Sequence, residues 1–449
     1  MTDVRDTRDP AEAIAALEQQ LASTPRTSRP HEHAAVAYRL GLAYAESPHG
    51  DQADNLRKAL ACYEVTAAVF DPRYDPVEHG RALNAAGAAQ RALGRTGKAV
   101  ELFEKAAALF ENRDREGERA AALNNLGLAR SERGELDEAL TAFAEAAVLF
   151  DQDTEEGRRG RAATLHNRGQ AHAASGTVAG LEAALADYAE ARSSVDKEEA
   201  PYHRGLIDHS AGIAATALAA QRPDDRRRLL SDAIMAFEDA LGLFTRAAFP
   251  YQHALATHNL GRALAATGDV HNMRRALVCY EDTVALLDPR LHADARRQAT
   301  ASMESVEVEL DKAGPSGSIP GRVGHFAALV AECDENERRR LLRERLRRLV
   351  AMPSERRHAM LMELALASVA LGYEAARAHI ETELVVLMEM PSEAVEAGLL
   401  ARVEVHQRLE GEVREAADRA LDQGVGDALG LSQRILVRDF LESMGFERP

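Results

Sequence analysis

The segment ALNNLGLARSERGELDEALTAFAEAAVLF, residues 122–150, contains the most regular pattern in the sequence. Gly134 interrupts its helical pattern, and Ala139, Phe143 and Ala146 follow Gly127 by 12, 16 and 19 residues. Because Ala139 and Phe143 are four residues apart, their side chains share one face of a helix. The segment therefore predicts two helices joined by a tight turn, with small residues where the helices meet.

The same offsets recur along the chain. Gly87 is followed by Ala99, Phe103 and Ala106 at the same three intervals, and further copies appear when the turn varies in length. The repeat glycines are Gly41, Gly87, Gly127, Gly169, Gly212 and Gly261, and the aromatic residues are Tyr63, Phe103, Phe143, Tyr188, Phe237 and Tyr280. We predict six helical hairpins, in which each glycine allows close approach and each aromatic fills the space between hairpins. Such hairpins gain stability by stacking.

This pattern resembles the tetratricopeptide repeat (TPR), in the variety of about 40 residues found in kinesin light chain, Rap-type regulators and arrays beside CHAT-type proteases. The most specific matches are NNLG at 124–127 and HNLG at 258–261. The resemblance implies an all-α protein, a right-handed α-solenoid of about six hairpins followed by a smaller helical domain. It also implies a non-enzymatic scaffold that binds a peptide or helix of a partner protein in a concave groove.

Composition agrees with a helical protein. The 449 residues are 46% hydrophobic, 28% charged and 4% aromatic, which disfavours a β-sandwich or β-barrel. The net charge of −17 argues against nucleic acid or an anionic membrane as partner. Three scattered cysteines, a polar N-terminus and the absence of a long apolar run predict a cytoplasmic protein, and the arginine and alanine usage is typical of bacteria.

The predicted domains follow the change of pattern. Residues 1–29 are an extension with a capping helix, 30–312 the solenoid, 313–321 (AGPSGSIPG) a linker and 322–449 a C-terminal helical domain. This last domain contains a duplication: LRRLVAMPSERRHAMLM, 346–362, recurs as LVVLMEMPSEAVEAGLL, 384–400, an offset of 38. Ser354 and Ser392 are the predicted N-caps of two helices that follow Met-Pro. We expect two hairpins of a different type and a final amphipathic helix.

Polar residues precede the repeat glycines by two or three positions. The predicted partner-binding residues in the groove are Asn84, Asn124, Asn125, His166, Asn167, His209, His258 and Asn259. Amide and imidazole groups both donate and accept hydrogen bonds, which suits a peptide backbone or a partner helix. The resemblance implies that Asn125, Asn167 and Asn259 hold such a backbone. Alternatively, these amides bond the adjacent hairpin and only set the packing. The histidines predict a groove charge that rises as pH falls through roughly 6.5.

A local basic face is the second candidate surface. The segment ENERRRLLRERLRR, 335–348, contains seven arginines, among them Arg338, Arg339, Arg343 and Arg347. It would contact an acidic partner, nucleic acid or the acidic solenoid of this chain, and alternatively it is an ordinary solvated helix. The missing interleaved aromatics weaken nucleic-acid binding further.

The sequence contains no clear catalytic pattern. LGRTGKA at 93–99 has Ala99 where a phosphate loop needs Ser or Thr, and His31 and His33 have no third metal ligand at suitable spacing. We therefore expect neither a cofactor nor a metal. An enzyme in the C-terminal domain would have to draw on the residues His325, His358, Glu363, His379 and Glu381.

The alternative function is a regulatory or assembly and maturation factor for a bacterial enzyme or complex, acting mainly through the C-terminal domain. Deleting residues 322–449 discriminates between the two functions, because only the alternative predicts loss of binding. Met352, Met388 and Met390 in that domain would support a homodimer.

Overall fold

The computed structural model describes residues 10–111, 114–313 and 320–446, and every regular element in these ranges is an α-helix. This confirms the all-α prediction. The chain forms two compact units, Met1–Thr245 and Arg246–Pro449, here called unit 1 and unit 2. The predicted linker at 313–321 lies within unit 2, and its residues 314–319, like residues 1–9, are outside the described part. The predicted domain boundary there stays a prediction.

Unit 1 consists of a first helix and five hairpins. Its helices are α1 Pro10–Ala22, α2 Pro30–Glu46, α3 Gln52–Val69, α4 Pro76–Ala92, α5 Thr96–Phe110, α6 Glu116–Glu132, α7 Leu136–Leu149, α8 Glu155–Ala174, α9 Val178–Ser194, α10 Pro201–Gln221 and α11 Arg226–Leu243. Each even-numbered helix from α2 packs against the helix after it, and each hairpin packs against the next. The segment predicted as a capping helix forms α1, which packs against α2.

The close approach inside each hairpin depends on its glycine. A Cβ atom added to Gly127 would lie 2.6 Å from a ring carbon of Phe143 in the second helix, so any larger residue would collide with the ring. The other repeat glycines of unit 1 meet the aromatic ring of their own hairpin at 2.5–2.7 Å in the same way. Phe143 is fully buried and also packs with Ala171 of the following hairpin. The predicted roles of the glycine and the aromatic are confirmed.

The first helices of neighbouring hairpins also pack together, α2 with α4, α4 with α6, α6 with α8 and α8 with α10. Among the described residues of unit 1, the second helices show no comparable packing with one another. Because the first helices are closer together than the second helices, unit 1 curves with its first helices on the inside. We call the exposed side of α2, α4, α6, α8 and α10 the inner face.

Unit 2 begins with the sixth hairpin. Its helices are α12 Pro250–Ala266, α13 Val270–Leu286, α14 Ala293–Lys312, α15 Arg322–Glu332, α16 Glu335–Val350, α17 Ser354–Ala370, α18 Tyr373–Leu387, α19 Ser392–Arg408, α20 Gly411–Ala428 and α21 Leu431–Ser443. Helix α14, at the end of the predicted solenoid, packs on α13 and buries Met303 and Leu310. Helices α15–α21 form what we call the C-terminal array.

The C-terminal array contains three copies of the repeat, one more than the sequence predicted. Helices α16, α18 and α20 begin at residues 335, 373 and 411, and α17, α19 and α21 begin at 354, 392 and 431. The dominant contacts join helices two apart, such as α16 with α18 and α17 with α19. The expected hairpin pairing is therefore replaced by stacking of equivalent helices.

The predicted serine caps in this array are wrong. Pro353 and Pro391 are the N-cap residues, with ψ of 145° and 148°, and neither helix has a side-chain cap hydrogen bond. An N-cap residue has a non-helical backbone, and here the proline already supplies it. Ser354 and Ser392 are thus the first helical residues, so their hydroxyls are not in the capping position.

Candidate protein-binding surface

The predicted polar residues of unit 1 pair with one another across neighbouring hairpins. Asn125 Nδ2 donates to Asn84 Oδ1 at 3.1 Å, and Asn167 Nδ2 donates to Asn124 Oδ1 at 2.9 Å. His166 Nε2 lies 2.9 Å from Ser210 Oγ, which continues the same pattern one hairpin further. In each case the residue three before one glycine meets the residue two before the next glycine. We call these three pairs the polar ladder.

The ladder supports the alternative left open by the sequence, in which the amides bond the adjacent hairpin. All its members are half-buried. Each amide still has unused donor or acceptor capacity, since an Asn side chain offers two N–H groups and two oxygen lone pairs. The ladder therefore ties the first helices together and leaves only part of its polar capacity for a guest.

The predicted groove histidines are packed on aromatic rings. The ring centroid of His166 lies 5.7 Å from that of Tyr188, and His209 lies at the same distance from Phe237. Burial lowers the pKa of His166 to about 4, with a smaller contribution from His203 and His209, and burial likewise lowers the pKa of His209 to about 4. The expectation that the groove gains charge near pH 6.5 is therefore wrong for both residues.

In unit 2, His258 and Asn259 occupy the corresponding positions of the sixth hairpin. The His258 ring centroid is 5.5 Å from that of Tyr280, and burial, followed by the charge of Arg262, lowers the pKa of His258. Arg262 also donates to Asn259 Oδ1 at 3.5 Å. The ring contact of the sixth hairpin thus repeats those of the first, fourth and fifth hairpins, whereas the second and third have Asn at this position.

On each first helix, a row of mostly small or apolar side chains lies between the two positions that form the ladder. The sequence analysis did not single out this row. These are the residues one after and six before each glycine of unit 1, which share a face because they are seven apart. They are Leu42, Ala88, Leu128, Gln170 and Ile213, with Ala35, Arg81, Ala121, Ala163 and Leu206. We call these ten residues the floor of the inner face. Eight are apolar and none is buried, and Leu42 and Ile213 are 37% and 43% exposed.

The predicted basic face on α16 is largely bonded within unit 2. Arg339 and Arg343 both form ion pairs with Glu389, with Arg343 Nη2 at 2.9 Å from the carboxylate. The guanidinium of Arg338 donates to the carbonyl oxygens of Val330 and Cys333. Of the four predicted residues, Arg347 is the exposed one.

Two further arginines of α16 contact the sixth hairpin. Arg345 pairs with Glu281 and Arg348 pairs with Asp282, both on α13. From the other side, Arg274 and His271 of α13 pair with Glu332 of α15. Of the possibilities for the basic face, contact with acidic residues of the chain's own hairpins is therefore the one realised within unit 2.

The residues considered for catalysis do not form one site. His325 bonds Asp311 at 2.8 Å and His358 lies 3.3 Å from Glu404, whereas Glu381 accepts a hydrogen bond from Arg377. His379 is fully buried, and neither ring nitrogen has a hydrogen-bond partner. Within the described ranges, no group of three or more His, Cys, Asp and Glu side chains is placed to hold a metal ion.

The methionines predicted to support a dimer are half-buried. Met352 and Met390 pack against the apolar cluster around Leu342, and Met388 packs against the cluster around Leu421. Exposed large apolar residues of the C-terminal array include Leu431, Ile435 and Leu436 on α21, each more than half exposed, together with Leu366 on α17 and Val413 on α20. In the part of the chain that the structure describes, no helix has the length and hydrophobicity needed to span a bilayer.

The hairpins, their glycine–aromatic contacts and the curved inner face define a TPR-like helical-repeat architecture. Similar solved structures include a Podosopora anserina putative kinesin light chain with nearly identical TPR-like repeats, at 19% identity over 46% of this chain and 93% of that chain, with a TM-score of 0.37. BtubC (BKLC) from P. vanneervenii is 18% identical over 54% of this chain and 92% of that chain, with a TM-score of 0.39.

A third similar structure is the human IFIT1 dimer with m7Gppp-AAAA. It is 16% identical over 84% of this chain and 77% of that chain, with a TM-score of 0.38. No protein-family model matches the sequence, and no curated protein matches it.

Proposed function

We propose that the protein is a non-enzymatic scaffold of the bacterial cytoplasm that binds a peptide or helix of a partner protein on the inner face of unit 1. The observation that supports this is the inner face itself. It combines an unfilled apolar floor with half-buried amides that keep part of their hydrogen-bonding capacity. A surface that is curved, exposed and apolar at its centre with polar edges has the composition of a protein-binding site.

The ladder amides provide the first test. Replacing Asn125 and Asn167 by Ala removes two hydrogen bonds between hairpins, which costs about 1 kcal/mol each. The chain should remain folded and lose capture of its partner. To identify the partner, a photo-crosslinking amino acid replaces Leu128 and the variant is irradiated in cell extract. Mass spectrometry then identifies the crosslinked peptide.

A crosslinker at Val148 is the matched control, because this residue is 83% exposed on α7, a second helix. A partner that crosslinks equally from Val148, or that is captured as well by the double Asn variant, would contradict binding on the inner face.

The alternative function, a regulatory or assembly factor acting through the C-terminal domain, is favoured by the exposed apolar ridge of Leu431, Ile435 and Leu436. Three large apolar side chains exposed on one terminal helix are typical of a protein–protein contact surface. If a partner subunit docks there, replacing Ile435 by Asp should abolish its capture, and the Asn125 and Asn167 variants should not affect it. If light scattering gives twice the mass of the chain, and Ile435→Asp lowers this mass to that of one chain, the ridge is a homodimer interface instead.

A further inference from the structure

We infer that the guest of the inner face is an amphipathic α-helix with an apolar stripe repeating every seven residues and basic residues beside it. This rests on the proposed function, because it names the kind of partner that the same surface accepts. Four properties of unit 1 support it: the chemistry of the floor, the spacing of its rows, the bonding of the polar ladder and the charge around the floor.

The floor offers shallow aliphatic contacts. Its apolar members are alanines, leucines and one isoleucine, whereas the large aromatic rings lie beneath, with Tyr63, Phe103 and Phe143 no more than 2% exposed. Recognition of a proline-rich segment relies on exposed aromatic grooves, which this surface lacks among its described residues. A helix with Leu or similar residues on one face suits a surface of small side chains, because its backbone approaches closely over alanine.

The repeat distance of the floor matches a helix. Packed helices lie about 8–10 Å apart, so equivalent floor residues of successive hairpins are separated by roughly that distance. Seven residues of an α-helix span about 10.5 Å and return to nearly the same face. An extended strand covers this distance in about three residues, and its side chains at that interval point to opposite sides. A strand therefore cannot fill successive floor positions with the same face.

The polar ladder points the same way. Asn84, Asn124 and His166 already bond residues of the following hairpin, so their remaining capacity suits polar side chains of a guest but is too small for a continuous extended backbone. An extended peptide needs partners for its N–H and C=O groups, whereas a helix satisfies nearly all of its own. The floor, with eight apolar positions of ten, matches a guest whose backbone is internally bonded.

The negative charge of unit 1 favours a guest helix with basic residues beside its apolar stripe. Unit 1 contains 40 acidic and 29 basic residues, a net charge of −11. Glu46, which stands five residues after Gly41, is exposed beside the floor, whereas Glu132 at the same position of the third hairpin already pairs with Arg91 at 2.9 Å. Complementary charge raises association rates and selects partners, so lysine or arginine beside the apolar stripe is favoured.

The test uses the full chain and labelled model peptides of about 28 residues, long enough as a helix to cross the five hairpins of unit 1. The first peptide, of Leu, Ala and Lys, places Leu at every seventh position and at the intervening fourth. A second has the same composition in scrambled order, a third replaces Lys by Glu and a fourth is proline-rich. Binding is followed by fluorescence anisotropy. We expect the first peptide to bind at least tenfold more tightly than the other three.

Substitutions in the protein locate the binding. Leu42→Asp and Ile213→Asp place a charge on the floor at exposed positions, and each should weaken binding of the first peptide at least tenfold. Val148→Asp and Met235→Asp are the matched controls, because these residues are 83% and 59% exposed on second helices of the same unit. The controls should leave binding unchanged. Circular dichroism melting checks that every variant is folded, and Ile213→Ala replaces any Asp variant that is not.

The outcomes distinguish the proposed binding surface from the inferred kind of guest. If scrambled or proline-rich peptides bind as tightly and are equally weakened by Leu42→Asp and Ile213→Asp, the inner face is the binding site but the guest is not a helix. If the Glu peptide binds as tightly as the Lys peptide, the inferred charge selection is wrong. If no peptide responds to the floor substitutions, or Val148→Asp has the same effect, the proposed binding surface itself is overturned.

Discussion

The hairpins of unit 1 and the C-terminal array are both helical repeats of about 40 residues, yet their helices make contact in different ways. In unit 1, consecutive helices pack closely because a glycine receives an aromatic ring, as Gly127 receives Phe143. In the C-terminal array, helices two apart stack through aliphatic side chains. Its interior also holds an ion pair, Arg402 with Glu383, in which both side chains are almost fully buried.

The two arrays therefore need different interactions to keep their geometry. The hairpins depend on shape, since a small residue and a ring must coincide in every repeat. The C-terminal array depends also on the buried guanidinium of Arg402. Besides pairing with Glu383, this group donates to Ser368 Oγ at 2.8 Å and to the carbonyl oxygen of Ala365. A change of shape should therefore damage the hairpins most, and loss of a charge should damage the C-terminal array most.

Phe143→Ala should give the largest effect in the hairpins. It leaves a cavity where a fully buried ring contacts Gly127, and such truncations cost about 3–5 kcal/mol. Chemical denaturation followed by circular dichroism measures this, with Val148→Ala on the same helix expected to stay within about 0.5 kcal/mol of the wild type.

Gly127→Ala should cost about 1–3 kcal/mol, because its new methyl group overpacks against the ring of Phe143. The cost should be smaller in a chain that also carries Phe143→Leu. If the effects of Gly127→Ala and Phe143→Leu are additive, the glycine–ring contact is contradicted.

Arg402→Ala should destabilise the C-terminal array by about 3–5 kcal/mol, because it leaves Glu383 buried without its partner. Replacing both residues, Arg402 by Met and Glu383 by Leu, should cost less than the single change, since it removes both desolvated charges. Urea denaturation of the full chain compares the variants, with Arg347→Ala as an exposed control. A single Arg402→Ala change as mild as Arg347→Ala would show that the ion pair does not hold the array.

The hairpins could be predicted almost completely from the sequence, for a physical reason. A close helix–helix contact tolerates only glycine opposite a ring, so the requirement appears as fixed residue types at fixed offsets. The third copy of the C-terminal repeat was missed because aliphatic stacking accepts many residues. The first two copies have Met352-Pro353 and Met390-Pro391 directly before the helix, whereas the third has Leu429-Gly430.

The site was predicted only in part. The ladder positions followed from their offsets to the glycines, but their hydrogen-bond partners depend on how neighbouring hairpins stack. The floor was overlooked because alanine is common throughout the chain and carries no chemical signal of its own. A search for residues seven apart on one face of each first helix, such as Ala121 and Leu128, would have found it.

His166 makes the stability of unit 1 depend on pH. Its pKa is about 4 in the folded chain because of burial, and an unfolded histidine titrates near 6.5. Between these values the unfolded state binds more protons, so the stability present above pH 6.5 is progressively lost as the pH falls toward 4. The loss is on the order of 1–3 kcal/mol. His166→Gln keeps a polar group near Ser210 without this titration, so its stability should fall less over the same range. An NMR titration of His166 with a midpoint near 6.5 would contradict the argument.

The smallest effect concerns the basic face of α16. Hydrogen bonds from Arg343 and Arg339 lower the pKa of Glu389 to about 2. Because these groups are near the surface, replacing both arginines by Ala should change the free energy of unfolding by no more than about 1 kcal/mol, and less at high salt. The pKa of Glu389, followed by carboxyl NMR, should nevertheless rise toward the ordinary value of about 4.3, and Arg347→Ala should leave it unchanged. A wild-type Glu389 that already titrates near 4.3 would show that the two arginines are not engaged, and the basic face of α16 would then again be a candidate surface for an acidic partner.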